Sequence, residues 1–365
     1  MKQEIIDKIN RLASQNEPFL FVINYQGDKA FIRLLSDINP EECLFDFEGR
    51  RNFTHAWKET LKEKTLKEET LKDEIPETTW QIEPPLYKDY ERSFGIVKSN
   101  IMGGNSYLTN LTCKVPVSCN LSLEEIFHRA RGKYKLLLRK SENYNPFVCF
   151  SPETFVRIKG GRIYSYPMKG TLDASLPDAE KQLMEDEKEA AEHATIVDLI
   201  RNDLSRVAEN VRVDKYRYID VLHTNKGDIL QTSSEISGRL PEDYRQHLGE
   251  ILDAQLPAGS ITGAPKDKTM QIIQEAEGYD RGFYTGIMGI YNQGELNSAV
   301  MIRFIEEETS SVDFEADGEK NFKANEGKKP KESRKLYFKA GGGITSKSDC
   351  RREYEEVIQK IYLPF

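Results

Sequence analysis

Apolar residues recur along this chain at two periods, close to two and close to 3.6, and the change from one to the other predicts its elements. Phe19-Leu20-Phe21-Val22-Ile23-Asn24-Tyr25 and Lys29-Ala30-Phe31-Ile32-Arg33 flank a Gln26-Gly27-Asp28 turn. That predicts a β-hairpin after an amphipathic opening of a turn or two. Tyr90, Phe94, Val97 and Ile101 predict a helix over 87–100, and residues 106–115 alternate as a strand. Leucine and charge over 121–135 predict a second helix with Ser122 as its cap. Residues 147–150, 154–158 and 162–166 predict strands around a Gly160-Gly161 turn, placing Glu153 at a strand start and Lys169 just past a strand end. One long helix is predicted over 178–205, strands over 211–213, 218–221 and 229–236, and helices over 241–255 and 266–277. An apolar strand over 297–305 carries Arg303, and a strand over 336–340 runs into Gly341-Gly342-Gly343. A last helix from about Cys350 has Tyr354, Val357, Ile358 and Ile361 on its apolar side.

Two stretches follow neither period. Thr60-Leu61-Lys62-Glu63 recurs in degenerate form at Thr65 and Thr70, a five-residue spacing that predicts an exposed charged segment. Residues 306–334 are charged and poor in apolar side chains, which predicts an extended hairpin loop without its own core. With Pro76, Pro84 and Pro85 ending regular structure, residues 1–85 are expected to form an N-terminal β-hairpin and a charged peripheral segment. Residues 86–365 are expected to form one interleaved unit carrying the 306–334 insertion.

Composition narrows the classes. The 365 residues are 38% hydrophobic and 31% charged, as in a soluble globular protein. The 60 acidic and 52 basic residues leave a net charge of −8, which argues against a nucleic-acid coat. No 18-residue apolar run and no signal-peptide core are present, and Cys43, Cys113, Cys119, Cys149 and Cys350 make no CxxC pair. A reduced, cytoplasmic protein without disulfides is expected.

Four features carry candidate chemistry. Glu189 and Glu192 are three apart on one predicted helix, and Glu353 and Glu356 repeat the spacing on another. Facing each other, the pairs would make an oxygen-only site suited to Mg²⁺; apart, they are solvated faces. Lys169, between Pro167-Met168 and Gly170-Thr171, is either a desolvated nucleophile with Glu153 as proton donor or a surface turn lysine. Arg303 in its apolar strand is either a planar fork for a carboxylate or half of a structural ion pair. Gly341 to Gly343 either present amides to an anion or form a turn. The Gly259–Lys266 stretch has its glycines four apart and Ala264-Pro265 before the lysine, so it fails the phosphate-loop pattern; Gly282, Gly286 and Gly289 do not spell GxGxxG.

In order, the segments PMKGT, AEHATIVDLIRND, LPAGSITGAPK, RGFYTGIMG and AGGGITSKS followed by EYEE resemble the chorismate-utilising enzymes, most closely their aminodeoxychorismate synthase component I branch. The matching segments run from about Tyr107 to Glu356, roughly two thirds of the chain. The resemblance implies an α+β fold of two packed antiparallel β-sheets flanked by helices. It implies Mg²⁺ held by Glu192 and Glu356, with Glu189 and Glu353 helping through water, against the ring carboxylate of chorismate. Arg303 and Tyr284, with amides near Gly286 and Gly343, match positions that hold the enolpyruvyl carboxylate, and Thr262 and Thr171 lie in site motifs. Lys169 matches the lysine that marks the aminodeoxychorismate branch, where anthranilate synthases carry alanine, and Glu153 matches the general acid. Asn110 stands where isochorismate synthases carry a lysine that activates water, which demotes that reaction.

The chain departs from the pattern at Gln231, near which many relatives carry a histidine. It lacks the usual tryptophan-binding segment, so tryptophan feedback is not expected. No Gly-x-Cys-x-Gly glutaminase context exists, so ammonia is expected from a separate glutamine amidotransferase subunit or from solution. The resemblance thus implies a transferase converting chorismate and ammonia to 4-amino-4-deoxychorismate, toward 4-aminobenzoate and folate. Anthranilate synthase component I and a silent amidotransferase scaffold are the alternatives.

Overall fold

The computed structural model describes residues 1–54, 78–139, 141–142, 144–224, 227–310 and 333–365. The lysine-threonine repeat at 60–73 and most of the 306–334 insertion lie outside them. In chain order the strands are β1 (Phe19–Ile23), β2 (Ala30–Leu34), β3 (Cys43–Phe47), β4 (Arg50–Arg51), β5 (Trp80–Ile82), β6 (Leu108–Cys119), β7 (Tyr134–Leu138), β8 (Phe147–Ser151) and β9 (Thr154–Lys159). There follow β10 (Arg162–Ser165), β11 (Met168–Asp173), β12 (Glu209–Thr224), β13 (Gly227–Arg239), β14 (Gly263–Ala264), β15 (Ile287–Asn292), β16 (Glu295–Val300), β17 (Phe304–Ser310) and β18 (Ser333–Ile344).

They form two nine-stranded sheets, one ordered β11-β13-β10-β9-β16-β15-β1-β2 with β12 on β13, the other β14-β6-β18-β17-β8-β7-β3-β4 with β5 on β6. The strands pair antiparallel throughout. Alternation on β1 explains how the layers meet. Leu20 and Val22 point between the sheets to meet Phe45, Leu136, Phe147 and Phe304. Phe19, Phe21 and Ile23 point the other way, against the helices Gln3–Ser14 and Leu248–Asp253. The far face of the second sheet is covered by the helices Tyr87–Met102, Leu123–Arg129, Lys266–Glu277 and Cys350–Gln359. Helix, sheet, sheet, helix: this is the α+β class expected from the resemblance.

Several elements differ from the sequence reading. The helix at Ser122 is capped as expected, Ser122 and Glu125 forming a capping box, but it ends at Arg129. Residues 134–138 are then a strand buried on both faces, so its leucine run shows no alternation. The long helix divides into Ala179–Glu185 and Glu187–Ser205, because the Asp186 carboxylate caps the second by accepting from the Glu189 amide at 2.9 Å. Residues 241–255 give a 3₁₀ turn, Tyr244–His247, and a shorter α-helix, Leu248–Asp253. The opening turn or two is a twelve-residue helix, Gln3–Ser14.

Two differences shape the site. The predicted strand over 297–305 is two strands on different sheets, β16 and β17, and Arg303 sits at the corner between them with φ +57°. The glycines 341–343 are not a turn; they belong to β18, opposite Thr112, Leu111 and Asn110 of β6. A Cβ on Gly341 would lie 2.6 Å from the Leu111 carbonyl oxygen, so only glycine fits that close pairing.

Candidate active site

A cavity of about 800 Å³ opens where β9, β11, the β16–β17 corner and the glycines of β18 converge. Candidate residues lining it are Asn110, Glu153, Lys169, Thr171, Tyr284, Arg303 and the glycines 341–343. Thr262 and Gly286 are buried and do not. The Thr262 hydroxyl faces the Tyr25 phenol, and a Cβ on Gly286 would lie 2.1 Å from the Ile23 carbonyl oxygen, so both sit behind the wall.

Lys169 is aimed by a break in the β11–β13 ladder between Lys169 and Thr171, where Gly170 takes φ +70°. Such a bulge re-aims a side chain without ending the strand. The Thr232 hydroxyl donates to the Lys169 carbonyl and holds this register. The ammonium, 30% exposed, lies 3.3 Å from Glu192 Oε2, and a Cβ on Gly343 would be 3.9 Å from its Nζ.

Glu153 stands at the β8–β9 corner, its amide donating to Ser151 Oγ at 3.1 Å and its Oε1 accepting from Ser260 Oγ at 2.5 Å. Burial pushes its carboxyl above the usual range, against the lowering pull of Ser260, Lys169 and Arg303. Arg303 has no carboxylate within ion-pair distance among the described residues. Its guanidinium packs over the Tyr362 ring at 5.7 Å and faces Glu153 and Tyr284. The guanidinium thus lines the cavity, half-buried and without a carboxylate partner among the described residues.

None of the four glutamates lines the cavity; each lies behind a residue at or next to its wall. A Cβ on Gly170 would sit 3.1 Å from Glu189 Oε2, and one on Gly342 would sit 3.4 Å from Glu353 Oε2 and 3.9 Å from Glu356 Oε1. Burial and the neighbouring carboxylate hold Glu189 above the usual range, as they do Glu353 despite Ser348. Burial also acts on Glu356, but Lys360, 2.7 Å from its Oε1, brings it below that range. Lys188 lies 3.8 Å from Glu192 Oε1. Glu192 and Glu356 are therefore matched to lysines, and among the described residues no group of three or more metal-binding side chains is gathered on one point. The donor set itself, carboxylate oxygens beside glycines that leave room, fits a hard divalent cation.

Sequence reasoning passed over three other groups. Arg281, 2% exposed, donates to both carboxylate oxygens of Glu277 (2.8 and 2.6 Å), to the Ile261 and Asn110 carbonyls (2.9 and 2.7 Å) and to Thr285 Oγ1 (3.2 Å). It ties the loop bearing Tyr284 to β6. The Glu277/Arg281 spacing of four was the available signal. Asp203 and Lys266 form a buried pair at 2.9 Å, and Lys339 reaches Glu306 at 2.7 Å beneath the glycines. No sequence pattern pointed to those two pairs.

A family model described as chorismate binding enzyme matches residues 10–319. The chain belongs to the chorismate-binding enzyme family. A Haemophilus influenzae protein named "uncharacterized PabA-like protein" is 46% identical, over 99% of this chain and 97% of its own length. Aminodeoxychorismate synthase component 1 of Salmonella typhimurium is 30% identical over 75% of this chain, and anthranilate synthase component 1 1 of Haloarcula marismortui 31% over 72%. The matches span 56% and 50% of those two synthases. Among solved structures, the menaquinone-specific isochorismate synthase of Escherichia coli superposes with a TM-score of 0.59 at 16% identity, covering 97% of this chain and 89% of that one. It shares the fold.

Proposed function

We propose that this enzyme aminates chorismate to 4-amino-4-deoxychorismate as an aminodeoxychorismate synthase component I. The observation that carries the reading is Lys169 itself: its bulge turns the amine into the cavity that also holds Glu153 and the unpaired Arg303. Arg303, with the phenol of Tyr284 and the amide of Gly343, receives the enolpyruvyl carboxylate. Lys169, as the free amine, adds to C2 of the ring. Both ring double bonds shift, the C4–O bond breaks, and Glu153 gives its proton to the departing hydroxyl, which leaves as water. Ammonia then attacks C4 and expels the lysine from C2, so chorismate and ammonia yield the amine and one water.

Glu192 and Glu356, with Glu189 and Glu353 behind them, would hold Mg²⁺, which would supply positive charge against the ring carboxylate. Without the cation, Lys169 and Lys188 face Glu192 and Lys360 faces Glu356. Asn110 and Thr171 complete the substrate side, with Thr262 behind the wall. A separate glutamine amidotransferase subunit supplies the ammonia, and the product serves 4-aminobenzoate and folate synthesis in the cytoplasm. No described helix is long and apolar enough to cross a membrane. The catalytic residues fall within 86–365, while residues 1–85 contribute the hairpin β1–β2 to one sheet and β3–β5 to the other.

The test is to incubate the chain with chorismate, Mg²⁺ and ammonium at alkaline pH and follow products by mass and fluorescence. A product that becomes 4-aminobenzoate only when a lyase is added supports the reading. Fluorescent anthranilate would instead support the anthranilate synthase reading, which the comparable identity to the Haloarcula relative keeps in view. Unchanged chorismate, with or without an amidotransferase, would leave only the scaffold.

A further inference from the structure

Among the described residues Glu153 meets a single side-chain donor, Ser260, which is 107 residues away in sequence. Ser260 lies in the one-turn helix Gly259–Thr262, which cannot set its own position. The buried pair between Asp203 and Lys266 does so. Lys266 Nζ lies 2.9 Å from Asp203 Oδ2 and donates to the Gln255 carbonyl at 2.8 Å. The loop around Ser260 is thereby tied at both ends to the helix Glu187–Ser205. Gly259 makes the approach possible, since a Cβ there would sit 3.0 Å from both Asp203 Oδ2 and Leu199. Of the two Glu153 carboxyl oxygens, Oε1 is taken by Ser260, and Oε2 makes no hydrogen bond to a described residue.

We propose that Ser260 is a positioning residue for proton transfer: its hydroxyl fixes Glu153 Oε1, leaving Oε2 as the oxygen that carries the proton to the substrate, and the Asp203–Lys266 pair seats Ser260 for that task. This rests on the reading of Glu153 as proton donor. A carboxyl free to rotate would divide its time between productive and unproductive orientations, which lowers turnover without touching the groups that bind the substrate's carboxylates. A hydroxyl donating to the carboxylate also opposes what burial does to its acidity.

The experiment is a ¹³C titration of the full chain carrying labelled glutamate, with Glu153→Gln identifying the Glu153 signal, alongside kinetics at a fixed concentration of free ammonia. Ser260→Ala should move the Glu153 midpoint to higher pH and lower kcat about tenfold with KM for chorismate nearly unchanged. Ser260→Thr, which keeps the hydroxyl, should restore both. Lys266→Gln should move the midpoint in the same direction as Ser260→Ala, by less. An unmoved midpoint in Ser260→Ala, or a threonine variant that behaves like the alanine one, would overturn the proposal. An unmoved midpoint in Lys266→Gln would overturn the role given to the pair. If Glu153→Gln aminates chorismate at the wild-type rate, the proton-donor reading fails instead. The titration by itself then decides whether Ser260 holds that carboxyl.

Discussion

Replacing Arg281 by methionine tests whether buried charge holds the substrate loop in place. The guanidinium is 2% exposed and its partner Glu277 1%. Five hydrogen bonds leave it, reaching Glu277, Ile261, Asn110 and Thr285, and its face packs over the Tyr25 ring at 4.7 Å. Methionine fills most of the volume but leaves Glu277 buried without its cation, a change that costs about 3–5 kcal/mol. The Thr112 amide and hydroxyl, both 2.8 Å from Glu277 Oε1, remain, so the lower part of that range is expected. With an unfolding entropy of about 2 cal/mol/K per residue, a 365-residue chain that unfolds in one step loses about 4 °C of Tm for 3 kcal/mol. Urea and thermal unfolding of Arg281→Met, Glu277→Gln and the double variant form the assay. If the unpaired carboxylate is the source of the loss, Glu277→Gln should cost much less in the Arg281→Met background than in the native one. Strictly additive losses, or a loss below about 1 kcal/mol for Arg281→Met, would refute the reasoning. The Asn110 carbonyl and the Tyr284 loop are released together, so KM for chorismate should rise as well.

Lys169→Ala should abolish or redirect the amination while leaving Tm nearly unchanged, since the side chain is partly exposed and its pair with Glu192 is worth about 1 kcal/mol at most; full activity with ammonia would rule out the covalent step. Gly342→Ala puts a methyl 3.4 Å from Glu353 Oε2, so calorimetry should show weaker Mg²⁺ binding, and an unchanged Kd would remove the glutamate rim as the metal site. His193 is fully buried, with Nε2 2.6 Å from Ser234 Oγ, and burial, with Arg217 and Lys169 nearby, lowers its pKa to about 4. The folded state prefers the neutral ring, so stability is full above the unfolded value of about 6.5 and is lost as pH falls toward 4, by about 3 kcal/mol in all. His193→Gln should flatten that limb of a urea-midpoint profile, and an unchanged slope would show that His193 does not titrate there.

Much of the architecture was legible because its signals are local. The capping box of Ser122 and Glu125, the hairpin turn at Gly27, and the helical spacing of Tyr90, Phe94, Val97 and Ile101 each depend on residues within a turn or two of one another. The site motifs were legible in the same way: Glu189 with Glu192, Glu353 with Glu356, and Lys169 beside Gly170 are short spacings. Elements buried on both faces were harder to read. β7 carries Leu136, Leu137 and Leu138 into two different cores, so the period that separates strand from helix disappears.

Local spacing set which residue types were on hand and which elements would carry them: acidic pairs on helices, a lysine just past a strand end, an arginine in an apolar run, three glycines in a row. Tertiary structure alone decided what each would meet. Arg303 turns into the cavity because the chain passes from one sheet to the other at that residue, and a pattern shared by β16 and β17 carries no mark of the sheet boundary. Ser260 reaches Glu153, and Lys266 reaches Asp203, across separations of 107 and 63 residues in the chain. Such pairings are fixed by the packing of whole layers, in which burial removes water and makes each polar group depend on one particular partner. A spacing rule sees only neighbours along the chain, and these partners become neighbours only once both sheets have closed.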